Sequence, residues 1–182
     1  MTTRLTAIDP QQATGKAKQL LDGVQAKLGM TPNMMRTMAN SPAALEGYLN
    51  FSGALGHGLL PARLREEIAL AVGEANRCAY CVSAHTAIGG MAGLQADEIA
   101  AARQSSSTDP KQDAALKFAR ALSVKRGEVT DAEVQAVKDA GYADGEIAEI
   151  IAHVALNVFT NYFNLAAQTE IDFPKVAIGK TA

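Results

Sequence analysis

Apolar residues recur every three to four positions along most of the chain, and β-branched residues rarely alternate with polar ones over strand length. This is the pattern of helices packed on one another. Asp9-Pro10, Thr31-Pro32, Ser41-Pro42 and Asp109-Pro110 repeat one start signal. Each offers a side-chain oxygen to cap free N–H groups and a proline at the first helical position, where a missing N–H costs nothing. Leu60-Pro61 is a start without the capping oxygen, and Thr130 with Glu133 fits a capping box. Gly29, Gly127 and Gly141 fit helix stops, and "GGMAGL" closes another helix. Together these signals predict helices over 10–28, 32–39, 42–56, 61–75, 79–91, 95–104, 110–125, 131–140 and 144–168.

The last of these is the most apolar. Ile147, Ile150, Ile151, Val154, Val158, Phe159, Tyr162 and Leu165 recur at helical spacing, with Leu156 and Phe163 off that stripe. A helix apolar on more than one side is buried on more than one side. It is therefore expected at the centre of the core, at a subunit interface, or both. "RQSSSTDP" reads as a solvated loop, and no linker is long enough to divide the chain. The expectation is one all-α domain over residues 1–182.

Composition narrows the function classes. Of 182 residues, 48% are hydrophobic and 20% charged, with a formal net charge of -2, an ordinary balance for a globular protein. Arg63 and Arg65 are interleaved with Glu66 and Glu67, whereas a nucleic-acid binder gathers its basic residues on one face. No apolar run approaches the ~20 residues that span a bilayer, and "MTTRLTAIDP" lacks the apolar core of a secretory signal. Neither a nucleic acid nor a membrane is expected as a partner, and the expected compartment is the cytoplasm. Thiols are kept reduced there, so a close cysteine pair is more often catalytic or metal-binding than a structural staple.

The only two cysteines, Cys78 and Cys81, lie with His85 in "NRCAYCVSAHT". If a helix begins near Cys78, the three side chains share one face within two turns. A helix N-terminus favours a thiolate, a neighbouring histidine can act as base or imidazolium partner, and a second thiol can attack an oxidised first one. Redox chemistry, inert burial of two small side chains, and metal binding all remain open from spacing. The metal reading is one ligand short: Cys78, Cys81 and His85 would need His57 or His153 from afar to make four.

The segment "REEIALAVGEANRCAYCVSAHTAIG", preceded by "GHGLLPARL" and followed much later by "NVFTNYFNLAAQTEIDFP", resembles the AhpD-like branch of the carboxymuconolactone decarboxylase family. Glu66, Cys78, Cys81 and His85 meet every spacing of that family's motif. The resemblance implies an all-α, AhpD-like helical bundle that assembles as a trimer or hexamer. It also implies alkylhydroperoxidase activity. Cys81 would attack the peroxide, Cys78 would resolve the sulfenic acid as a Cys78–Cys81 disulfide, and Glu66 with His85 would relay protons. The implied partners are an organic hydroperoxide, a peroxiredoxin, and a protein or small dithiol as reductant. No nucleotide or flavin fingerprint is present, so no cofactor is expected. Alternatives are a non-catalytic helical stress-response or binding module and another chemistry on the same scaffold, such as decarboxylation or dehalogenation.

Two positions depart from the resemblance. Tyr80 stands where the best-studied branch has a relay histidine, and Leu165 stands where some relatives carry a polar or basic side chain. Helical projection adds a conflict: Leu64, Ile68, Ala71 and Ala75 make the clean apolar stripe, which Glu67 borders and Glu66 nearly opposes. Periodicity selects Glu67 as the buried acid, while family spacing selects Glu66. Elsewhere, His57 reads as a loop residue and His153 as a core or interface histidine. Asn157, Asn161 and Asn164 read as hydrogen-bonding residues across helices or subunits, with lining of the pocket as the alternative, and Met30, Met34, Met35 and Met38 as adaptable core filler.

Overall fold

The expected helices are all present, with one displaced start. The computed structural model describes residues 3–179, and no strand occurs among them. In chain order the helices are α1 (Gly15–Leu28), α2 (Asn33–Met38), α3 (Pro42–Gly56), α4 (Ala62–Ala75), α5 (Ala79–Met91), α6 (Ala96–Arg103), α7 (Pro110–Val124), α8 (Asp131–Asp139) and α9 (Asp144–Ala167).

Local chemistry accounts for most boundaries. The Ser41 hydroxyl accepts from the Ala44 N–H, Asp109 accepts from the N–H groups of Lys111 and Gln112, and Thr130 with Glu133 closes the capping box. Gly29, Gly127 and Gly141 all lie in the left-handed region expected of helix stops. Two start signals behave differently. Asp9 builds only a single turn, its carbonyl taking the N–H groups of Gln12 and Ala13. Thr14 then runs extended and Gly15 has φ +56°, so the chain breaks off and restarts; the helix begins at Gly15, not at residue 10. Thr31 caps nothing: its hydroxyl donates to the Gln25 side chain, and Pro32 itself holds the N-cap position of α2. Ahead of α4, where a capping oxygen is missing, the Glu149 carboxylate of α9 accepts the N–H groups of Leu59 and Leu60.

Helix α4 is the structural centre, packed against α5, α6, α7 and α9. Leu64, Ile68, Ala69, Leu70, Ala71 and Val72 are all buried, so nearly its whole circumference is covered. One core cluster joins it to Leu116 and Phe118 of α7 and to Ile150 and Val154 of α9. A second gathers Leu21, Val24, Met34, Met35, Met38 and Leu45 around Cys78, Tyr80 and Cys81 of α5. Each fully buried large side chain contributes about 1.5–3 kcal/mol, so the cysteine helix is held by the same burial that holds the fold.

Helix α9 is central, as its apolar pattern predicts. By length and a mean hydropathy of 1.2 it could cross a membrane, which corrects the reading that nothing in the chain is long and apolar enough. It packs on α3, α4, α5 and α7, however, and buries His153, Asn157, Asn161 and Asn164, as a core helix does. Ile151, Phe159, Tyr162 and Leu165 remain on an exposed face. Beyond α9 the chain returns over the cysteine helix. Asp172 accepts the Asn33 N–H, and the Val176 N–H is accepted by the Ser83 hydroxyl.

Candidate active site

A tight turn places the first cysteine. At the end of α4 the Arg77 N–H bonds the Glu74 carbonyl and the Cys78 N–H bonds the Gly73 carbonyl. This is a Schellman closure, with Arg77 at φ 57° where glycine is usual. The turn delivers Cys78 directly to the N-cap of α5, where its sulfur accepts the Cys81 N–H at 3.2 Å. Cys78 and Cys81 are joined as a disulfide.

The two sulfurs have different surroundings. A cavity of about 510 Å³ is lined by Cys81 but not by Cys78. Asn164 of α9 donates its Nδ2–H to the Cys81 sulfur at 3.4 Å. His85, one turn further along α5, opens on the same cavity, as does Glu66 of α4. The His85 Nδ1 and the Glu66 carboxylate lie 2.7 Å apart. A carboxylate accepts, so Nδ1 carries the hydrogen and Nε2 of a neutral ring is left as the basic atom. Met34, Met35, Ile88, Leu156 and Phe173 supply much of the apolar wall.

The conflict over the two glutamates resolves because α4 is covered on all sides. Glu66 faces the cysteine helix. Glu67 is the more deeply buried, at 2% exposure, but on the other side, with Arg63, Glu98 and Asp109 near it. Burial first, then the charges of Glu98 and Asp109, push its carboxyl up to about 7 against the pull of Arg63. Periodicity thus found the buried acid, and spacing found the one beside the cysteines.

Tyr80 takes no part in the His85–Glu66 pair. Its hydroxyl accepts the Met34 N–H at 3.1 Å, and its ring meets Phe173 edge-on. Burial, with the Asp172 carboxylate adding to it, pushes the phenol well above its ordinary range. Leu165 lies on the exposed face of α9. His57 caps the end of α3 in an exposed turn. His153 is buried and also lines the cavity, and burial together with Arg65 lowers its pKa. Asn161 bonds across helices to Asn76, whereas Asn157 bonds the His153 carbonyl within its own helix. Met34, Met35 and Met38 are buried as expected, but Met30 is exposed and lines the cavity. No group of three or more His, Cys, Asp and Glu among the described residues is arranged to hold a metal ion. Spacing offered no signal for the Asn164–sulfur contact beyond a polar residue recurring on an apolar helix.

Residues 42–123, from α3 into α7, match the carboxymuconolactone decarboxylase family. The fold is similar to the alkylhydroperoxidase AhpD core of an uncharacterized peroxidase-related protein from Ralstonia eutropha JMP134. That likeness has a TM-score of 0.82 and 28% identity, over 93% of this chain and 92% of that one. The chain has an AhpD-like fold, and within it residues 42–123 match the carboxymuconolactone decarboxylase family. Two further structures share the AhpD-like fold. A peroxidase-related protein from Silicibacter sp. TM1040 has a TM-score of 0.79 and 24% identity, over 91% of each chain. The debrominase Bmp8, as a Cys-to-Ala variant in complex with 2,3,4-tribromopyrrole, has a TM-score of 0.81 and 23% identity, over 94% of this chain and 93% of that one. No curated protein matches the sequence.

Proposed function

We propose that this AhpD-like protein is a thiol-dependent alkyl hydroperoxide reductase, with Cys81 as nucleophile, Cys78 as resolving thiol, and Glu66 and His85 as proton relay. One observation carries the reading: of the two disulfide cysteines, Cys81 and not Cys78 borders the cavity that also holds the His85–Glu66 pair. In the reduced protein His85 takes the Cys81 proton. The thiolate attacks the distal oxygen of ROOH, the O–O bond breaks, and Cys81 becomes a sulfenic acid. The departing RO⁻ takes the proton back from His85 and leaves as ROH. The Cys78 sulfur then attacks the sulfenic sulfur, its thiol proton joins the departing hydroxyl as water, and the disulfide forms. An external dithiol, free or carried by a protein, returns two electrons and two protons; a peroxiredoxin partner would instead receive electrons from the reduced Cys78–Cys81 pair.

A mixed cavity suits an organic peroxide, because its apolar wall takes the alkyl group while the polar end faces Cys81. The reductant requirement fits a cytoplasmic setting. The exposed apolar residues Ile151, Phe159, Tyr162 and Leu165 of α9 supply a face for homo-oligomer assembly. The test follows loss of tert-butyl hydroperoxide with dithiothreitol and then a lipoamide system. Wild type should consume peroxide, Cys81→Ser should not, and Cys78→Ser should stop at a sulfenate or mixed disulfide. An unchanged rate in Cys81→Ser would refute the assignment. Loss of bromide from 2,3,4-tribromopyrrole without peroxide loss would favour dehalogenation on the same scaffold. Thiols closed to alkylation in the native state would favour a non-catalytic module.

A further inference from the structure

Asn164 is 4% exposed, with its Nδ2 on the Cys81 sulfur and its Oδ1 in no hydrogen bond. Of the other polar side chains that α9 brings to the cavity, Asn157 and Thr160 bond within their own helix, and the His153 Nε2 has no partner. Asn157 donates to the His153 carbonyl, and the Thr160 hydroxyl donates to the Asn157 carbonyl. Asn164 instead reaches across to the reacting atom. Burying an amide with an unpaired carbonyl is unfavourable, and a leucine of similar shape would fill the space without that penalty. What the amide provides is a donor. Only its nitrogen can serve the sulfur, since a carbonyl oxygen there would face another acceptor.

Oxidised and reduced sulfur value that donor differently. A disulfide sulfur accepts weakly, whereas a thiolate carries a full charge, and hydrogen bonds to ionised acceptors are the strong ones. The contact therefore tightens on reduction. It also answers a competition between the two thiols. Cys78 sits at the N-cap of α5 and receives the Cys81 N–H, which by itself favours Cys78 as the thiolate. We propose that Asn164 is a catalytic residue whose amide N–H stabilises the Cys81 thiolate, directing the negative charge to the cysteine that borders the cavity. This rests on the reading of Cys81 as the nucleophile.

The test uses the reduced full chain carrying Cys78→Ser, which leaves Cys81 as the only thiol and keeps a good N-cap residue on α5. The pH dependence of iodoacetamide alkylation then reports the Cys81 pKa directly. Adding Asn164→Ala should raise the midpoint by about one unit, slowing alkylation about tenfold at any pH well below it. Asn164→Asp, nearly the same shape, places a carboxylate beside the sulfur and should raise the midpoint further. Circular dichroism and melting identify which variants are folded. An unmoved midpoint in either folded variant would overturn the proposal. The assay needs no peroxide turnover. A shifted midpoint in a protein inert toward peroxides would sink the peroxidase reading while upholding this one.

Discussion

Glu66 and Glu67 are adjacent on α4, yet their carboxylates serve different sides of that helix: Glu66 lies 2.7 Å from His85, whereas Glu67 is buried near Arg63, Glu98 and Asp109. One turn of a fully covered helix thus carries both a cavity-facing acid and a core acid. They are separable by experiment, because one bears on the site and the other on stability.

Glu67→Gln should change how stability depends on pH. The folded carboxyl titrates at about 7, raised from 4.5 chiefly by burial. A raised acid favours the fold fully below its unfolded pKa, and that advantage is lost as pH rises toward the folded value. Wild type should therefore lose stability between about pH 4.5 and 7 and level off above. The glutamine variant lacks this loss, so its advantage should grow across the window to about 1–3 kcal/mol by pH 8. Urea unfolding at several pH values measures it, and parallel curves would exclude the effect.

Glu66→Gln should act on rate instead. The carboxylate fixes the hydrogen of His85 on Nδ1, and an amide can present its own donor there and reverse the tautomer. Peroxide consumption should fall about 10²-fold, the scale of a lost general acid–base group. Stability should change by less than about 1 kcal/mol, since the pair is partly solvated. Equal rates for Glu66→Gln and wild type would remove Glu66 from the relay.

Arg77→Gly should stabilise the protein. Arg77 holds a left-handed conformation at φ 57°, which costs a side-chain-bearing residue about 1–2 kcal/mol. Glycine removes that strain but loses about 0.5–1 kcal/mol in chain entropy. The exposed side chain offers only a long bond to the Gly179 carbonyl at 3.5 Å. A net gain of up to about 1 kcal/mol, a rise in Tm of about 2–4 °C, is expected by thermal unfolding. A lower Tm would mean that Arg77 contributes through contacts rather than strain.

The same turn marks where sequence reading stopped. Capping at Ser41, Asp109 and Thr130 uses a side chain and a backbone N–H two or three residues apart, so the signal is local and was legible. Thr31 looked identical but sits with its hydroxyl on Gln25, a choice that only the packed α1–α2 turn settles. The Schellman closure at Arg77 carries no glycine, so nothing local announces it. Within the site, spacing singled out Cys78, Cys81 and His85 and the family resemblance added Glu66; the structure places all four on two consecutive helices within 20 residues of one another. Asn164 is 83 residues from Cys81, and its contact depends on how α9 crosses α5.

Tyr80→Phe separates an anchoring role from a proton-relay one. The phenol oxygen accepts the Met34 N–H, and the ring packs on Phe173 beside the cavity. Phenylalanine keeps the ring but leaves a buried N–H unpaired, which should cost about 1–3 kcal/mol of stability. The hydroxyl is pushed above its ordinary range and accepts the Met34 N–H, so no proton transfer through it is expected in the proposed cycle. Peroxide consumption by the folded variant should stay within about twofold of wild type, and its pH profile should keep its shape. A lost alkaline limb, or a fall in rate matching that of Glu66→Gln, would return Tyr80 to the relay. Urea unfolding and a pH–rate series on the same preparation distinguish these outcomes.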